Sequence, residues 1–238
     1  MPPERDTWQY VVDSATIALP VVAILVTVAA YLLAYLRRPR VSIEEDTDRV
    51  HSHLEGTDND LPHIRLLGSN KGWRRAAHGT QVVVIGYRPA GGAVTEMTSL
   101  GSPTLGWPSA NAPNEALTIF PGMSRPIDFG SLYPAARDDE SKLICERYVH
   151  PLTGVTTSEP AVKRVTAGGE WQLRLGIGIS IADHREFLAP GKWIVRLVIG
   201  ASDGSAGVFD VHVAWKGDEP DPQEALDYLL DHLEVMPV

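Results

Sequence analysis

Trp171-Gln172-Leu173-Arg174-Leu175-Gly176-Ile177-Gly178-Ile179-Ser180-Ile181 is the stretch that decides the fold class. Large apolar side chains occupy every second position, with polar or small residues between them. That period belongs to a strand with one face in a core and the other wet. Two further rows follow the same rule. Trp193, Val195, Leu197 and Ile199 form one, and Phe209, Val211, Val213 and Trp215 the other, with Asp210 and His212 on its opposite side. Shorter candidates lie at 63–67, 80–87, 93–99, 117–120, 126–132 and 142–149. Turn signals sit where strands must reverse: Ala90-Gly91-Gly92, Pro121-Gly122, Pro190-Gly191 and Asp203-Gly204. Short strands with no helices between them predict a mostly β chain, folded as an antiparallel sandwich over residues 61–216.

Toward the N-terminus the pattern changes. Ser14 to Leu36 contains no charge over 23 residues, and eleven of these are Val, Ile or Leu. As a helix rising 1.5 Å per residue, it would cross a hydrocarbon core of roughly 30 Å. Each of the eleven contributes about −0.3 to −0.6 kcal/mol to insertion near the centre. Pro20 falls in the first third, where freed backbone groups find other partners. Trp8 and Tyr10 before the core, with Tyr31 and Tyr35 toward its end, fit the two interfacial belts. A cleaved leader would carry a basic flank, a shorter apolar run and a small-residue cleavage box. Here the flank, residues 1–13, holds Glu4, Arg5, Asp6 and Asp13, and the run ends in Tyr35-Leu36-Arg37-Arg38-Pro39-Arg40. The expectation is therefore a transmembrane helix over 14–36. Arg37, Arg38 and Arg40 after the helix, against Arg5 before it, predict an outside N-terminus and a cytoplasmic C-terminal domain. The cell membrane is the expected location, with one pass.

Ala23, Thr27, Ala30 and Ala34 recur at spacings of four, three and four, a stripe of small residues that lets two such helices approach closely. They are the candidate helix–helix interface of a homodimer.

Beyond the helix, residues 37–60 combine the basic collar with an acidic run: Glu44, Glu45, Asp46, Asp48, Glu55, Asp58 and Asp60 against Arg49. This composition reads as a solvated linker that holds the domain off the membrane. The chain carries a net charge of −9, and the residues after Arg40 hold 17 cations and 27 anions. A part this acidic is a poor match to nucleic acid. A single cysteine, Cys145, excludes an intrachain disulfide.

At the C-terminus, residues 221–235 predict a short amphipathic helix. Asp221 is placed as N-cap, Pro222 in the first turn, and Glu224 completes an acidic capping box. Leu226, Leu229, Leu230 and Leu233 share one face. That face either packs on the domain's own sheet or binds a partner.

Reactive constellations are few. Gly200-Ala201-Ser202-Asp203-Gly204 matches G-x-S-x-G, but a nucleophile elbow needs a following helix, and Val208 to Trp215 reads as a strand. A hydrolase would require Ser202 beside a histidine and an acid. His51 and His53, with Glu55 and Asp58 nearby, read as linker rather than as metal ligands. Asp183-His184 with Glu186 is a polar loop without a nucleophile. No phosphate loop, dinucleotide fingerprint or CxxC is present. The expectation is a non-enzyme without cofactor or metal.

Several punctuation marks recur together: Asn70-Lys71-Gly72, an Ala76-Ala77 step into Val82-Val83-Val84, Gly91-Gly92, Pro121-Gly122, and Pro190-Gly191-Lys192-Trp193. Their order resembles bacterial immunoglobulin-like or fibronectin-III-like modules over residues 61–216. The resemblance implies a sandwich with an adhesive or scaffolding role and no catalytic residues. The chain departs from that pattern in lacking a Cys…Trp…Cys core, and in a topology opposite to the usual extracytoplasmic one. The functional expectation is a membrane-tethered interaction or accessory module whose partners are the bilayer and another protein. The alternative is a small-ligand sensor, which a pocket lined by aromatic and polar groups would favour.

Overall fold

Alternation of apolar and polar residues becomes two antiparallel sheets in the computed structural model. It describes residues 7–46, 63–72, 75–91, 96–108, 115–134, 145–149, 156–160, 171–177, 185–217 and 222–238. The strands are β1 (Val41–Glu45), β2 (His63–Asn70), β3 (Ala77–Pro89), β4 (Thr98–Ser99), β5 (Leu117–Ile119), β6 (Ser124–Pro134), β7 (Cys145–Val149), β8 (Thr156–Pro160), β9 (Trp171–Leu175), β10 (Phe187–Leu188), β11 (Gly191–Gly200), β12 (Ala206–Trp215) and β13 (Glu234–Pro237). Helices α1 (Thr7–Leu36) and α2 (Pro222–Asp231) complete the chain. One sheet runs β1-β2-β6-β9-β10. The other runs β13-β12-β11-β3-β4, with β5 also paired to β3. β7 and β8 form a separate hairpin.

The rows of alternating residues point inward. Leu173 and Leu175 from the first sheet meet Val195, Leu197, Phe209, Val211 and Val213 from the second in one buried cluster. Trp171 and Trp193 are half-buried at its margin. On the outer face Arg196 lies opposite Asp210, and its guanidinium donates to both carboxylate oxygens at 2.7 and 2.8 Å. Ile177 extends the β9 row through a bridge to Leu105, while Ile179 and Ile181 lie outside the described residues. The Pro- and Gly-rich stretch after residue 100 also has a structural task. Leu105 N donates to Val82 O of the second sheet, and Gly106 N donates to Gly176 O beside the first. With Leu105 and Trp107 buried, this crossing segment ties the two sheets together.

Three boundaries differ from the sequence reading. The first helix begins at Thr7 rather than Ser14, taking up much of the presumed flank. Its added turns are Thr7 to Asp13, which hold Trp8, Tyr10, Val11 and Val12 and no helix breaker. The second difference is more consequential. Val41–Glu45, read as acidic linker, is an edge strand of the first sheet, in register from Val41↔Asn70 to Glu45↔Leu66. Val41 and Ile43 enter the core, and the acids stay at the surface. Glu44 receives hydrogen bonds from Ser42 and Lys71. Burial alone would raise its carboxyl, but those bonds, one from Ser69 and the Lys71 charge outweigh it and hold Glu44 below its ordinary value.

The third difference is at the C-terminus. The last helix stops at Asp231, and Glu234–Pro237 pairs with β12 instead of continuing it. Bonds from His232 N to Leu229 O and from Leu233 N to Leu230 O tighten the final turn. Val235 N then donates to Glu45 Oε1, which joins the two sheets at this margin. Ala225, Leu226, Leu229 and Leu233 are buried in the common core, and Leu230 packs against it. These leucines are therefore not available as a partner-binding face.

Candidate functional site

Two places can be built up from these elements: the exit of α1 and a cleft at the opposite end of β3.

The window Ala18–Leu36 is long and apolar enough to cross a membrane, and none of it is buried. Leu19, Ile24, Leu25, Val26 and Leu32 each expose more than half of their surface. Thr27 Oγ1 donates to Ala23 O within the same helix at 2.8 Å, so this hydroxyl is turned inward along the small-residue stripe. Ala23, Thr27, Ala30 and Ala34 are all exposed. At the helix end Tyr31 and Tyr35 are exposed, and the Arg38 guanidinium lies 5.7 Å from the Tyr35 ring centroid. Arg37, Arg38 and Arg40 are exposed around them. Trp8 and Tyr10 belong to α1, but their side chains lie outside the described residues.

Four residues, Arg37 to Arg40, separate this helix from β1. The long linker between helix and domain expected from the acidic run is therefore absent at this junction. Residues 47–60, with His51, His53, Glu55 and Asp58, fall outside the described residues and lie between β1 and β2.

The junction is fixed by Asn70, which is 1% exposed. Its Oδ1 accepts from Arg40 N at 3.2 Å and Gly72 N at 3.0 Å. Its Nδ2 donates to Arg75 O at 2.9 Å and Ile119 O at 3.0 Å. One amide thus satisfies four backbone groups from three chain segments, which an aliphatic side chain would leave unpaired. Asn70→Ala is expected to cost about 2–4 kcal/mol, since an unpaired buried group costs about 1–3 kcal/mol. Asn70→Asp keeps both acceptors, loses both donations, and should cost a similar amount. Denaturant unfolding of the full chain in micelles measures both. Changes below about 0.5 kcal/mol, the range of neutral surface substitutions, would show that the amide does not hold the junction.

The cleft measures about 440 Å³ and is lined by the start of β11 (Lys192, Trp193), the end of β12 (His212, Val213, Ala214), the segment Asp231–Glu234, Ala90 and Glu45. Trp193 is held by its Nε1, which donates to Ala189 O at 2.8 Å, and by edge contact with Tyr87 at 5.6 Å. The His232 ring stacks on Tyr228 at 4.2 Å, and its Nδ1 lies 2.8 Å from Tyr228 O. Lys216 Nζ lies 4.7 Å from the Tyr228 ring centroid. An aromatic wall with ammonium, imidazole and carboxylate groups around it can hold a small polar or aromatic molecule. Its lining residues include no Ser, Thr or Cys.

Ser202 is part of the hairpin joining β11 to β12, and no helix follows it. Its Oγ donates to the backbone carbonyl of His78 at 2.8 Å, while the His78 ring faces Thr118 Oγ1 at 3.2 Å. Asp203 Oδ1 accepts from Ser205 N and Oγ. Ser202 meets a carbonyl rather than an imidazole, and the hairpin holds no elbow. Glu186 is buried, whereas Asp183 and His184 lie outside the described residues. Among the described residues, no group of three or more His, Cys, Asp or Glu is placed to hold a metal ion.

Asn70 and the cleft were both missed by the sequence reading. Asn70 had a faint signal, an asparagine directly before Lys-Gly at a strand end. The cleft had none, because its lining comes from distant segments. No protein-family model, curated protein or solved structure matches the chain.

Proposed function

We propose that the chain is a membrane-tethered interaction or accessory module without catalytic activity. In this reading α1 spans the cell membrane once, the arginine collar keeps the β domain cytoplasmic, and Ala23, Thr27, Ala30 and Ala34 serve self-association. The domain is read as an immunoglobulin-like sandwich that binds another protein. The observation that carries the reading is the unburied window Ala18–Leu36. An apolar surface of this size in water would be strongly unfavourable, and a bilayer removes the cost. A removable leader is the competing use of such a helix. Carbonate extraction, chain mass and external protease on intact cells separate the uses. Full-length mass, retention in the membrane pellet and protection of the domain are expected. Loss of the first 36 residues, or digestion from outside, would overturn the anchor or its direction respectively.

The cleft beside Trp193 favours a second reading, a tethered sensor of a small ligand. A ligand held there would raise the melting temperature as its concentration rises, and Trp193→Ala would remove that response. No shift with a broad pool of metabolites would leave the interaction module standing alone.

A further inference from the structure

We propose that the Phe120–Met123 turn is a second membrane contact, set into the headgroup layer of the bilayer that α1 spans. The proposal rests on the reading of α1 as a membrane anchor. Phe120 and Met123 are 53% and 44% exposed, and they flank a single tight turn closed by Met123 N to Phe120 O at 3.0 Å. Pro121 takes the first central position, and Gly122 the second with φ of 71°. That is the type II arrangement, which requires a left-handed residue there. The turn therefore presents two apolar side chains from a stiff frame.

Its position is what distinguishes it from scattered surface apolar residues. Gly122 N donates to Asn70 O at 2.9 Å, and Asn70 N donates to Met123 O at 3.1 Å. The same Asn70 accepts from Arg40 N, and Lys71 N donates to Arg40 O at 2.8 Å. The turn is thus bound through Asn70 to a residue four positions beyond the helix end, a reach of at most roughly 14 Å. A headgroup layer is itself about 5–7 Å thick on each side of the hydrocarbon. A domain with so short a tether keeps this end at the bilayer surface.

Charge points the same way. Arg37, Arg38, Arg40, Lys71 and Arg75 are exposed around the exit. Among the described acids at this end, Glu44 pairs with Lys71 at 3.2 Å, so that pair adds no net charge, while Asp203 accepts from Ser205 and keeps its charge. The acidic surplus of the whole chain argues for repulsion from anionic lipid, but screening over about 8 Å means that the nearest charges decide. Among the described residues, those nearest the exit are mostly cationic through Arg37, Arg38, Arg40 and Arg75, and they fit anionic headgroups.

The test uses the full chain with Cys145→Ser, reconstituted into phosphatidylcholine vesicles with and without about 30% phosphatidylserine, an anionic lipid of the cytoplasmic leaflet. A polarity-sensitive fluorophore is attached through Met123→Cys, Lys192→Cys or Ala29→Cys, in separate samples, and quenched with spin-labelled lipid. The label at position 123 should be quenched several-fold more than that at 192, which lies at the far end of the domain, and more strongly with phosphatidylserine present. Quenching at 29 but none at 123 would overturn this proposal and leave the anchor intact. No quenching at 29 would overturn the anchor reading itself. Equal quenching at 123 in both vesicles would overturn the headgroup part of the contact. Phe120→Ser should halve the quenching at 123 or reduce it further, without altering that at 29; an unchanged signal at 123 would likewise count against the turn.

Discussion

Truncation after Pro220 is expected to unfold the β domain in micelles at ambient temperature. The deletion removes α2 and β13 together. Leu226 and Leu229 are fully buried and Leu233 nearly so, and full burial of a leucine side chain contributes about 1.5–3 kcal/mol. Three of them approach the net stability of a typical domain, about 5–15 kcal/mol. β12 also loses its partner from Phe209↔Pro237 to His212↔Glu234, exposing a strand edge. A thermal melt of the truncated chain beside the full one measures the effect. Equal midpoints would mean that the helix does not support the sheet it covers, and an accompanying change in self-association would make it an interaction element.

Leu175→Ala and Leu197→Ala come next in size, each with an expected loss of about 2–5 kcal/mol. Both side chains are fully buried, and they come from opposite sheets. Leu197 sits mid-strand in β11 between β12 and β3, opposite Phe209 and Val84, so little can move in to fill the void. Leu175 pairs with Gly130, and a side chain there would meet the Arg174 carbonyl, so relaxation is again restricted. Chemical denaturation should show lowered midpoints with unchanged slope. A cost below about 1 kcal/mol at both positions would mean that the two sheets do not share the close-packed interior described.

Sheet-forming segments with a long apolar row were legible because a period of two is written locally. The rows at 171–177, 193–199 and 209–215 needed no knowledge of their partners. β1 obeys the same period through Val41 and Ile43, but two apolar residues are a short signal, and the acids around them match a solvated linker. β13 was hidden differently. The leucine spacing of α2 runs on to Leu233, and what ends the helix is the unpaired edge of β12, a tertiary demand. The candidate sites were less legible still. Asn70 draws its partners from Arg40, Gly72, Arg75 and Ile119, up to 49 residues away. The cleft combines Glu45 with Glu234. Local pattern carries no information about such meetings, and chemistry assembled from them emerges after folding.

The short junction at Arg37–Arg40 also sets the surroundings of the cleft. β3 starts beside the Asn70 cluster and ends at Pro89, opposite Trp193, and its 13 residues rise by up to roughly 43 Å. With α1 in a bilayer and the domain upright, the cleft, whose nearest lining residue Glu45 lies five positions beyond Arg40 and so at most about 17 Å from it, would stand about two screening lengths from the exit, the Debye length being about 8 Å. The turn at Phe120 and the cleft would then occupy different solutions. Protons and cations concentrate against an anionic leaflet, whereas Lys192, His212 and His232 would sample bulk pH and bulk ionic strength. A ligand of the cleft would be read at its free aqueous concentration, unaffected by lipid composition.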